Sequence, residues 1–241
     1  MIDAELLTPL IRRWERRSPL AEADLNALRS LKCTRKVFPK EAYMVREGED
    51  VQDCCLLLSG FAYRQKIVRH GARQIISIHI AGEFVDLQNC MLNIADHNVQ
   101  SLNSAEAAMI PKKALLELAD SHPAIGRAMW LDTLIDSSVF REWVVNVGRR
   151  DARSRIAHLL CELALRLEAS GVGRDGSYEF PLTQEQLADA TGLTAVHTNR
   201  VLQALRKDGL INLTSQSLTV LDWPRLREVG DFHERYLHHA A

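Results

Sequence analysis

The sequence predicts an α+β chain in three stretches, and three observations predict it. Between Val37 and Ile110, short apolar runs alternate with turn residues. From Pro123 to Val147, apolar residues recur at three- and four-residue steps. From Leu182 to Ile211, two helical patterns flank a tight turn and are followed by a short hairpin. These stretches set the expected boundaries: 1–122, then a helix and hinge over 123–148, then 149–241.

A chain of 241 residues is long enough for two cores. It is 46% hydrophobic and 25% charged with a net charge of −1, so no global basic excess advertises nucleic acid, although a local patch suffices. The run Arg149–Arg155 is such a patch, and a solvated helix start has the same composition. Five scattered cysteines, without a signal-peptide pattern, are expected as reduced thiols in a cytoplasmic protein. No run approaches the roughly 18 apolar residues a membrane span needs.

In chain order, Leu6, Leu7, Leu10, Ile11 and Trp14 make one helical stripe. Ser18-Pro19 reads as cap and first turn of a second helix carrying Leu20, Leu25, Leu28 and Leu31. Strands are expected at Val37-Phe38, Tyr43–Val45, Cys54–Leu58, Phe61–Val68, Gln74–Ile80 and Ala105–Ile110, which argues for a sandwich or barrel. Pro111 opens a short helix. The long helix Pro123–Val147 carries Leu131, Ile135, Val139 and Trp143, but also Met129, Leu134, Phe140 and Val144. That exceeds what one sheet face covers and favours a seam between two subunits. Gly148–Asp151 reads as a hinge, with Asp151 capping a helix over Ala152–Ala169 and a polar loop over Ser170–Tyr178. After Trp223-Pro224, one helix and a frayed tail ending in His238-His239 are expected.

The C-terminal motif is the most specific. Thr183 and Gln186 fit a capping box, Gly192 stands where a helix must turn through positive φ, and Thr194 caps a second helix. Val201, Leu202 and Leu205 point inward, leaving His197, Asn199, Arg200 and Gln203 for the other faces. An αα-hairpin would show the same pattern, but the segment INL, a TSQS turn and LTVL then add a wing. The whole is a winged helix-turn-helix.

At LTQEQLADATGLTAVHTNRVLQALRKDGLI the chain resembles the Crp/Fnr family of bacterial transcription regulators. The resemblance extends upstream through Ser154–Leu167 and implies that the strand-rich part is a jelly-roll-like β-roll of the cyclic-nucleotide-binding type. It implies a homodimer binding a pseudo-palindromic operator in double-stranded DNA, with RNA polymerase as a partner and an unknown effector. Base contacts are implied at Ala195, Val196, Asn199 and Arg200, beside His197. Arg200 can donate two parallel hydrogen bonds to guanine. Thr183 and Thr194 can serve phosphates as well as cap. Many members carry a Glu where this chain has Val196, which offers only apolar contact to a thymine methyl.

In the β-roll, Gly82-Glu83-Phe84-Val85 matches the approach to the family's phosphate cassette. Asp86-Leu87 stands where Gly-Glu is expected, and His97-Asn98 falls near the Arg-Ser position. An Asp repels a phosphate and a His is a weak substitute for Arg, so cyclic AMP is not expected to bind. Gly82, Glu83, Asp86 and His97 remain the candidate effector pocket. A cysteine-held iron–sulfur cluster does not fit the cysteine spacing, and haem through His70, His79, His97 or His122 stays open. No catalytic motif or metal-ligand set appears. The rival reading is a small-molecule or redox sensor whose helix-turn-helix makes protein contacts.

Overall fold

The computed structural model describes residues 6–171, 176–214 and 216–238. The first five residues, part of the expected Ser170–Tyr178 loop, Ser215 of the wing turn and His239 of the tail lie outside the described residues. The chain divides into two compact units. One holds the residues up to Lys66 and Ser77–Ser137; the other holds Ile67–Ile76 and Ser138–His238.

The first unit opens with α1 (Thr8–Glu15) and α2 (Glu22–Arg29). α2 starts later than Ser18-Pro19 implied. Its first turn is closed by the Asp24 carboxylate, which accepts from the Ala21 N–H at 2.9 Å, so Asp24 does the capping. In chain order come β1 (Thr34–Phe38), β2 (Tyr43–Val45), β3 (Asp53–Ser59), β4 (Ala62–Ile67), β5 (Arg73–His79, of which Arg73–Ile76 fall in the second unit), a 3-10 turn (Leu87–Cys90), β6 (Asn98–Ser101) and β7 (Ala105–Pro111). One sheet has the order β1-β7-β3 and the other β2-β6-β4-β5. β6, which none of the expected strands covers, pairs antiparallel with both β2 and β4. The unit is completed by α3 (Lys112–Ser121) and the first half of α4 (Pro123–Arg149).

β3 explains the run Cys54-Cys55-Leu56-Leu57. Alternate residues of a strand face opposite sides. Cys54 and Leu56 join a core with Leu10, Trp14, Ile110 and Ile125, while Cys55 and Leu57 join a second core with Phe38, Val85 and Val99. The strand is therefore buried on both sides, which is why it reads as a continuous apolar run. α1 is held by charge as well: Arg13, Trp14 and Arg17 all donate to the buried Asp132 carboxylate of α4, at 3.0, 3.2 and 2.9 Å.

The second unit takes α4 from Ser138, and the helix runs on to Arg149, past Gly148, so the glycine lies within the helix and does not end it. α5 (Ala152–Ser170) is capped by Asp151, which accepts from Ser154 N–H at 2.8 Å. β8 (Ser177–Glu179), α6 (Gln184–Thr191), α7 (Ala195–Lys207), β9 (Ile211–Leu213), β10 (Ser217–Val220) and α8 (Trp223–Val229) follow. The wing is a sheet of order β8-β10-β9, with β8 an addition the sequence reading missed. The tail through His238 is docked and not frayed. Phe232 and Leu237 are buried, and the Tyr236 hydroxyl donates to Glu162 at 2.8 Å. Glu162 is itself fully buried and also accepts from Trp143 and Arg166, so the charge has three partners.

Candidate DNA-reading helix and the interior of the β-roll

The turn chemistry of the second unit places α7. Thr183 Oγ1 accepts from Gln186 N–H at 3.1 Å, and Gln186 returns the bond to Thr183 N–H at 2.9 Å. Gly192 sits at φ 66°, a conformation any Cβ strains, and turns the chain into Thr194. Thr194 caps α7 by accepting from His197 N–H at 3.2 Å. Thr198, Val201, Leu202 and Leu205 are buried, which orients the helix about its axis.

That rotation leaves Thr194, Ala195, Val196, His197 and Arg200 exposed, with Val196 at 65%. Among the described residues, none bonds the Arg200 guanidinium. Asn199 is half-buried and donates to Gln184 on α6 at 2.7 Å. Thr183 is exposed beyond its capping bond. The six other candidates thus lie on the first two turns of α7 or at its cap, with free N–H groups of a helix N-terminus beside them.

The expected basic patch is largely spent on structure. Arg150 pairs with Glu142 at 2.7 Å and Asp231 at 3.2 Å, and Arg153 pairs with Asp208 at 2.6 Å. Arg155 donates to two backbone carbonyls, of Arg150 and Thr191. Spacing alone could not reveal these partners, which lie up to 81 residues away.

The four candidates in the β-roll also have structural duties. Gly82 is at φ 87°, where an added Cβ would lie 3.0 Å from the Pro9 carbonyl oxygen, so it permits α1 to close on the roll. Glu83 is buried, salt-bridged to Arg13 at 2.8 Å, and accepts from Ile80 N–H at 3.3 Å. Asp86 is fully buried, and one oxygen accepts from Cys55 N–H at 2.7 Å. Burial raises its pKa to about 7, so Asp86 is not the fixed negative charge that its residue type suggested. His97 is buried against Asp96 at 2.6 Å, and burial brings its pKa down to about 4, leaving the ring neutral at pH 7.

Sequence reasoning missed Arg64, the cation of this interior. It donates from β4 to Asp136 of α4 at 2.8 Å and to the Val85 carbonyl at 2.9 Å. It is close enough to lower the pKa of His79, Asp86, His97 and Asp136 alike. Among the described residues, Arg64 Nε, Gln65 Oε1, His79 Nε2, Asp86 Oδ2 and Asn89 Nδ2 are buried without a partner. Native interiors seldom leave such atoms bare, and ordered water is their usual partner. No described cluster of three or more His, Cys, Asp or Glu is placed to hold a metal ion.

Asp86 makes a pH prediction. Its folded pKa of about 7 stands above the ordinary 3.8, so folding favours the neutral form. The contribution is intact below about pH 4 and is lost as pH rises through 7, on the order of 4 kcal/mol in all. His97 acts oppositely: its folded pKa of about 4 lies below 6.5, so stability is lost as pH falls through that window. Comparing Asp86→Asn with the unaltered protein cancels the histidine. Denaturant unfolding at pH 4.5 and pH 8 should show the variant gaining on the parent at the higher pH. Parallel pH dependence would remove Asp86 from this role.

A winged helix-turn-helix with an exposed helix N-terminus, in a chain that also holds a β-roll with a polar interior, defines a DNA-binding regulator as a class. The comparisons agree. Residues 154–229 match the Crp-like helix-turn-helix domain and residues 35–122 the cyclic nucleotide-binding domain. The transcriptional activator protein FnrL of Cereibacter sphaeroides is 27% identical over 193 residues, covering 78% of this chain and 77% of the relative. The nitrogen fixation regulation protein FixK of Azorhizobium caulinodans is 21% identical, covering 78% and 75%. The solved structure of FixK2 from Bradyrhizobium japonicum superposes with a TM-score of 0.76 at 20% identity, covering 83% of this chain and 98% of that one. The chain belongs to the Crp/Fnr family and is a sequence-specific DNA-binding transcription regulator of that type. This favours DNA over the rival reading, in which the helix-turn-helix makes protein contacts.

Proposed function

We propose that the protein works in the cytoplasm as a homodimer that reads a pseudo-palindromic operator with paired α7 helices and acts on RNA polymerase. The observation that carries this is the exposed N-terminal face of α7, with Arg200 unengaged among the described residues. Val196 meets the T methyl, Arg200 a guanine, and Thr183, Thr194 and His197 the backbone or base edges, with Ala195 giving close approach. Asn199 reaches a base by exchanging its bond to Gln184. Functionally the chain is read as sensor 1–122, dimer helix and hinge 123–148, and DNA-binding part 149–241. No described helix is long and apolar enough to cross a membrane. Titration of operator affinity against salt tests the reading. Contacts to about six phosphates give a slope near −5 on logarithmic axes, whereas a slope near zero would remove DNA as the partner.

The dimer surface is the free side of α4. Trp130 (71% exposed), Leu134 (55%), Phe140 and Val144 are apolar and uncovered, which suits a second copy of the same helix. Ile135, chosen from the sequence as a seam residue, is buried within its own protomer, and Leu131 is half-buried. A 27-residue helix carries apolar side chains around much of its girth, and only the structure tells which arc its own roll covers.

The effector site is assigned to the polar interior around Glu83, Asp86 and His97, with Gly82 in the turn that leads into it, and it does not take cyclic AMP. A cyclic phosphate needs an opposing charge in a dry site. His97 is neutral, Glu83 is engaged by Arg13, and Arg64 is already compensated by Asp136. Calorimetry with millimolar cyclic AMP and cyclic GMP should show no saturable heat; micromolar saturation would refute this part.

A further inference from the structure

Two thiols from distant parts of the first unit meet inside it. Cys54 Sγ on β3 and Cys90 Sγ at the end of the 3-10 turn are 3.1 Å apart. The two residues are 36 apart in sequence, yet their sulfurs stand in hydrogen-bond contact, about 1 Å beyond the length of a disulfide bond. Both are free thiols. The neighbouring Cys55 points to the other face of β3, into the second core, and cannot share this contact. Cys33, half-buried, packs against the same core as Cys54 and Cys90 but carries no contact to either sulfur among those described.

We propose that Cys54 and Cys90 are a modification site: a hydroperoxide oxidises them to an intramolecular disulfide. Cys90 is the attacking sulfur. It lies at the edge of the core, followed by Met91, which is 77% exposed, and Cys54 is wholly enclosed. The shared proton favours the thiolate on Cys90 and the thiol on Cys54. The Cys90 thiolate attacks one peroxide oxygen and the O–O bond breaks, giving a sulfenic acid and water once the leaving hydroxide takes a proton. Cys54 Sγ then attacks the Cys90 sulfur, the S–O bond breaks, and the hydroxyl leaves as water with the Cys54 proton. Two thiols and one hydrogen peroxide become one disulfide and two waters. The bond staples the 3-10 turn to β3. That turn carries Asn89 and follows Asp86, so oxidation fixes a segment with two of the buried polar atoms that lack a partner among the described residues.

The test uses the reduced full-length protein and stoichiometric hydrogen peroxide, followed by alkylation under denaturing conditions. The five thiols of the chain should fall by two. Non-reducing tryptic mapping should join peptide 47–64 to peptide 74–112, two hydrogens lighter than the sum. The joined species should vanish in Cys90→Ser and in Cys54→Ala, and persist in Cys33→Ser and Cys55→Ala. Cys90→Ser, at the core edge, keeps the test decisive if the Cys54 variant does not fold. Five thiols remaining after peroxide, a bridge that survives Cys90→Ser, or a bridge to Cys33 or Cys55 would overturn the proposal.

Discussion

Trp130→Glu with Leu134→Glu should convert the protein to monomers and all but abolish operator binding. Each protomer would bury the two side chains against its mate, at about 2–3 kcal/mol apiece. Four such side chains in a dimer amount to on the order of 10 kcal/mol, or about seven decades in the dimerisation constant. Charged carboxylates there would add like-charge repulsion across the twofold axis. Both residues are exposed in the protomer, so the substitution leaves each fold intact. That distinguishes it from Ile135→Glu, which would put a charge into the protomer's own core and unfold it. Sedimentation decides: a double variant that still runs as a dimer would place the interface elsewhere.

Arg200→Ala carries the second large effect. A bidentate arginine–guanine contact is worth about 1–3 kcal/mol, and a dimer makes it twice. Operator affinity should therefore fall by roughly 30-fold to 20,000-fold, with preference relaxed at one symmetric pair of base positions. Nonspecific binding should weaken only slightly, because the exposed guanidinium is a single charge among the phosphate contacts. Unchanged base preference in the variant would mean that another face of α7 reads the operator.

The parts legible in the sequence are those governed by local rules. The capping box at Thr183, the positive φ at Gly192 and the inward stripe of α7 each depend on residues a few positions apart, and the structure repeats them. The wing hairpin was legible for the same reason. What escaped is set by contacts between distant segments. β6 is a short polar strand whose pairing depends on β2 and β4. The arginines of 149–155 look like a phosphate-binding patch until their carboxylate and carbonyl partners are seen. Asp86 looks like a charge opposing an anion until its full burial is seen to push it towards the neutral form, against the Cys55 N–H that favours the carboxylate. Arg64 carried no motif at all, yet it links the roll interior to Asp136 of α4.

Selection of bound sites from random double-stranded DNA by the full-length protein tests the central claim most directly. The expected result is enrichment of a pseudo-palindrome whose half-sites lie about one helical turn apart, with a guanine that loses its weight under Arg200→Ala. Because Val196 offers no hydrogen-bond acceptor, a thymine preference should stand beside that guanine. Enrichment of no sequence, or of a single unpaired half-site by a dimeric protein, would contradict it.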